Sequence, residues 1–161
     1  MFGKSYTEYL RFQTPFLIAL AFMGFARLAL SIGGASIDVV RYFSMNVVFL
    51  VGTIYYGLRV GRSGFGTYRH LLPLIFNQSL VIHLMAVLGI ALSANGFPNV
   101  FDAPEFRGPG STVETTALPH ALSHVFIGMT VGTLVSWAVG SLVMLIAGRP
   151  SRQAVASAPT S

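Results

Sequence analysis

Four stretches of this chain, at about residues 15–32, 43–60, 70–93 and 119–147, are apolar over lengths that suit a bilayer. About 20 residues of helix at 1.5 Å rise per residue cross the ~30 Å hydrocarbon layer. A chain of 161 residues has room for four such spans and short connections, leaving no stretch for a separate soluble domain. Hydrophobic residues make up 53% and charged ones only 9%, a balance that water alone does not support. The expectation is an all-α integral membrane protein, one four-transmembrane-helix bundle.

The flanks of the spans carry the punctuation. Residues 1–14 mix Lys4, Glu8 and Arg11 with Phe2, Tyr6, Tyr9, Leu10 and Phe12, which reads as an interfacial segment leading into a first span that starts at Pro15. Gly33-Gly34 ends that span, Gly61 to Gly66 forms a basic turn after the second, and Asn95-Gly96-Phe97-Pro98 stops the third. Residues 95–119 form the longest loop, with Asp102, Glu105, Arg107 and Glu114. Residues 149–161, rich in Ala, Ser and Pro, read as a disordered tail. Lys4 and Arg11 before an apolar stretch, with small residues at Gly33 to Ala35, also suit a signal peptide, but Arg27 and the length of the stretch favour a retained span.

Lys4, Arg11, Arg59, Arg62, Arg69, Arg149 and Arg152 all fall on one side of the four spans. By the positive-inside rule that side is cytoplasmic, so both termini are expected in the cytoplasm of a multi-pass protein, with the bacterial inner membrane as its location. The net charge of +5 is accounted for by this bias and by lipid head groups, without nucleic acid as a partner.

Polar side chains within spans are the first place to look for function, because each needs a partner or water. Arg27, Asn46, Thr53, Asn77, Gln78, His83, His124 and Ser136 form that set. Counting along each helix puts Arg27, Asn46, His83 and His124 in the outer half, which predicts a polar pocket there lined by these residues and His120. In the fourth span His120, His124, Gly128, Gly132, Ser136 and Gly140 recur at every fourth position. Small residues at that spacing let a helix approach closely, so Gly128, Gly132, Ser136 and Gly140 are expected to pack against protein, either within the bundle or in a homo-oligomer.

Four uses suit these residues. His83 and His124, from different spans, suit the axial pair of a haem b, with Arg27 on a propionate. His120 and His124, four apart, can reach one divalent transition metal ion, with loop carboxylates completing the site. Arg27, Asn46, His83 and His124 can instead line a path for protons or a small anion, or the stripe can dock the chain to a larger membrane partner as an accessory subunit. The favoured reading is a cofactor-bearing redox or metal-associated subunit, with the cofactor-free transporter or accessory subunit as its rival. Absence of cysteine excludes disulfides and thiolate ligation. Four histidines are too few for the histidine boxes of membrane desaturases. No P-loop, dinucleotide glycine motif or Ser-His-Asp arrangement is present, and Gly57, Gly61, Gly64 and Gly66 lack the Lys and strand of a phosphate loop.

Overall fold

The computed structural model describes residues 1–101 and 110–147, so Asp102, Glu105, Arg107, the tail at 149–161 and the side chain of Glu114 lie outside the described residues. The regular elements among the described residues are all helical, with no strand. Helix α1 spans Tyr6–Ile32, short α2 Ile37–Arg41, α3 Met45–Arg62, α4 Tyr68–Ala94, α5 Val113–Ser123 and α6 Met129–Ile146. A π-helical turn, His124–Gly128, joins α5 to α6. Four units, Tyr6–Ile32, Ile37–Arg62, Tyr68–Ala94 and Thr115–Ile146, are long and apolar enough to cross a membrane.

Helix α1 begins at Tyr6, nine residues before the expected start at Pro15, which lies inside it. The cause is local. Ser5 and Glu8 form a capping box in which the Ser5 backbone N–H donates to Glu8 Oε2 (2.7 Å) and the Glu8 N–H to Ser5 Oγ (3.3 Å), satisfying two amides that would otherwise be orphaned at a helix start. Thr67 and His70 open α4 similarly. His70 Nδ1 accepts from the Thr67 N–H (3.0 Å), so its Nε2 carries the proton and donates to the Phe2 carbonyl (2.9 Å). That bond ties the N-terminus to α4.

The long helices alternate in direction, which gathers Lys4, Arg59, Arg62 and Arg69 at one end, here the arginine end. Helix α4 packs against α1, α3 and α6, and 44% of its apolar window is buried against 22% or less for the others. It is therefore the central helix. Its arginine-end half carries the apolar core, where Leu71, Leu74 and Ile75 meet Tyr9, Tyr56 and Val60.

The glycine stripe is used within the chain. A Cβ on Gly140 would stand 2.9 Å from Leu71 Cδ2 and 3.3 Å from the Thr53 carbonyl, and one on Gly57 would stand 2.6 Å from the Gly140 carbonyl. Such backbone approach is open only to glycine. Gly128 faces His83 on α4 as closely, and Gly132 faces His83 and Ser79 at ordinary contact distance, so this face of the fourth span is covered by α3 and α4.

Candidate functional site

At the end opposite the arginines three imidazoles gather. His83, on α4, and His124, first residue of the π turn, meet Nδ1 to Nδ1 at 3.0 Å. His120, one turn earlier on α5, places its ring 5.1 Å from that of His124, tilted by 38°. All three side chains are partly buried.

The π turn shapes this cluster. The Met129 N–H bonds to the His124 carbonyl, five residues back, so the turn is wider than an α-turn. In a regular helix a stripe at every fourth residue winds by about 40° per step. The wider turn offsets part of that drift, keeping His124 over the glycine face that contacts α4. Gly128 then admits the His83 ring, since a Cβ there would lie 2.6 Å from His83 Cε1.

Arg27 and Asn46 take no part in the cluster. The Arg27 guanidinium lies 5.5 Å from the centre of the Phe101 ring, and its buried Nε has no hydrogen-bond partner. The adjoining loop is fixed there by the Val100 N–H on Ser31 Oγ (2.8 Å) and by Asn99 Nδ2 on the Gly89 carbonyl (2.7 Å). Asn46, second residue of α3, is exposed.

Below the histidines lies a polar layer of which only part was visible in the sequence. Gln13, Thr53, Asn77, Gln78 and Thr133 are buried. Both amide atoms of Gln13 and of Gln78, Asn77 Nδ2, and the hydroxyls of Thr53 and Thr133 have no hydrogen-bond partner. A Cβ on Gly52 would touch both Gln78 Oε1 and the Phe16 ring, which brings α1, α3 and α4 together at one level beside Thr53, with Gln13 one turn below Phe16. The contacts of Gly128 with His83, Gly132 with Ser79 and Gly140 with Leu71 set an antiparallel register that brings Thr133 level with Gln78. A buried polar atom without a partner costs about 1–3 kcal/mol. Seven of them together are comparable with the ~5–15 kcal/mol net stability of an ordinary domain.

The layer has a polar neighbour on each side. Gly132 faces both His83 Nε2 and Ser79 Oγ, its Cβ position lying 3.5 and 3.6 Å from them. Ser79 is fully buried and donates to the Met129 carbonyl (3.4 Å). Towards the arginine end the Tyr6 hydroxyl donates to Asn77 Oδ1 (2.8 Å), and Tyr6 itself is exposed. Polar side chains thus occur at levels between His120 at one end and Tyr6 near the other.

The geometry discriminates among cofactors. Metal–imidazole bonds of about 2 Å put trans-axial nitrogens about 4 Å apart with the porphyrin between them. The direct 3.0 Å contact of His83 with His124 leaves no room for that plane. Two imidazoles on one tetrahedral ion stand about 3.3 Å apart, near the observed separation. Yet no three His, Asp or Glu side chains converge as a metal site among the described residues.

Fold and site together define a bundle of four helices of membrane-crossing length, with an imidazole cluster at one end and an amide and hydroxyl layer inside. Compared with protein-family models, curated proteins and solved structures, the chain finds no match.

Proposed function

We propose that this chain is a multi-pass protein of the bacterial inner membrane, arginine end in the cytoplasm, that passes protons through the His83–His124 pair. The observation that carries the reading is the 3.0 Å contact between the two Nδ1 atoms. One ring must donate and the other accept, so a single shared proton lies between helices α4 and α5–α6.

The transfer balances as follows. When His124 is the donor, its Nε2 holds a lone pair and His83 carries its proton on Nε2. A proton arriving at His124 Nε2, beside His120, lets the shared proton move to His83 Nδ1. His83 then releases its Nε2 proton towards Ser79, whose Oγ flanks the same glycine. The rings have exchanged tautomers and reset by reorientation before the next proton. Inward of Ser79, the unpartnered groups of Gln13, Thr53, Asn77, Gln78 and Thr133 hold water that continues the path to Tyr6. Water on such groups meets the hydrogen-bonding need that burial creates.

The test is proton uptake into liposomes of purified full-length protein, driven by a potassium diffusion potential, with metal analysis of the same sample. Uptake above empty liposomes that is lost in His124→Ala supports the relay. No uptake from folded protein overturns it, and stoichiometric metal that depends on His124 would assign the cluster to a metal site instead.

A further inference from the structure

We infer that the arginine end carries a specific site for one anionic phospholipid, in the cleft between α1 and α3. The inference is independent of proton transfer. Pro15, Phe16 and Ala19 of α1 and Val51 and Tyr55 of α3 line an apolar groove of about 350 Å³. It opens, through the shared residues Tyr55 and Arg59, into a second hollow of about 440 Å³ bordered by Leu58, Arg62 and Ser63. From Arg59 to Val51 the groove follows about 12 Å of helix, enough for the upper part of an acyl chain.

The head-group end has the chemistry of a phosphate site. Arg59 is held in place: its Nη1 donates to the Tyr55 hydroxyl (2.9 Å) and its guanidinium lies 4.4 Å from the centre of the Phe12 ring. One N–H is committed there, leaving other donors of the planar fork for an anion. Arg62 lies one turn on, in the same hollow, with the Ser63 hydroxyl beside it. The ion pairs among the described residues are Lys4–Glu8 and Asp38–Arg41, so neither Arg59 nor Arg62 has a carboxylate partner there. Two cations without an anion, directly above an apolar groove, match a negatively charged head group on a hydrocarbon chain. A soluble phosphate would use the mouth and leave the groove unused.

Native mass spectrometry of the full-length protein, titrated with phosphatidylglycerol and with phosphatidylcholine, tests this. We expect one phosphatidylglycerol to bind about tenfold or more tighter than phosphatidylcholine. The Arg59→Gln/Arg62→Gln variant should lose that preference. Ala19→Phe, which fills the exposed groove and keeps every charge, should lose lipid binding. Arg69→Gln, at the same end on α4, should bind as the native chain does, and inorganic phosphate should not compete. Equal binding of the two lipids, or an equal loss in Arg69→Gln, would reduce the site to general surface charge and overturn it. Competition by phosphate with no effect of Ala19→Phe would overturn the lipid in favour of a free anion.

Discussion

His83 Nδ1 stands 3.0 Å from His124 Nδ1, a direct side-chain hydrogen bond between α4 and the π turn. A pair of neutral rings joined in this way cannot be two donors or two acceptors. Anything that moves one ring therefore alters the hydrogen bonding of the other, and the surrounding glycines decide whether the rings meet.

Gly128 and Gly132 should respond oppositely to alanine. At Gly128 a Cβ would lie 2.6 Å from His83 Cε1, so Gly128→Ala must displace the ring, lowering stability by about 1–3 kcal/mol and proton uptake with it. At Gly132 the same atom would sit in ordinary contact, 3.5 Å from His83 Nε2, and alanine favours helix over glycine by up to about 1 kcal/mol. Thermal unfolding of the two variants in detergent should move in opposite directions.

Hydration of the inner layer is open to direct measurement because the chain contains no cysteine. Thr53→Cys and Thr133→Cys, at buried hydroxyls without partners, should be blocked by silver ion in the folded protein in membranes. The readout is loss of later maleimide labelling in SDS. Ala86→Cys, equally buried but apolar, should stay unblocked. Equal protection of all three would mean a dry layer.

Gln78→Leu separates conduction from stability. Both amide atoms of Gln78 are buried without partners, so an apolar side chain of similar volume should leave the melting temperature unchanged or raise it. Proton uptake should fall by about tenfold, the equivalent of ~1.4 kcal/mol on the barrier.

Ser5→Ala should do the reverse. It removes the side chain that accepts the Glu8 N–H, costing about 0.5–2 kcal/mol of helix stability, while proton uptake per folded molecule stays unchanged. Unfolding curves and liposome assays on the same preparation check both halves.

These residues also show how far the sequence could be read. Apolar length alone located four helices long enough to cross a membrane, since no tertiary contact is needed to decide it. The early start of α1 was written in Ser5 and Glu8, but the aromatic and charged surroundings pointed to an interface and Pro15 to a helix start. Gln13 falls in the same lead-in when read from sequence, whereas the longer helix buries it. Thr133 carries no sequence signal, because a threonine in an apolar helix is ordinary until its register with Gln78 is known. Periodicity brings out the stripe that holds His124, and the polarity of His83 within an apolar span marks that residue. Neither gives any sign of the π turn, since His124 to Gly128 contains no residue that demands one. Arg27 and Asn46 join the histidines on a count of depth alone, and depth does not fix which side of a helix a residue faces.

The most direct test of the account compares proton uptake in liposomes for His83→Ala, His124→Ala and the double variant, at equal amounts of folded protein. If the two rings share one proton, each single change abolishes uptake above the empty-liposome rate and the double variant is no worse than either, as expected for groups that act as a unit. Uptake that survives in one single variant, or falls in additive steps, would contradict a relay through the pair.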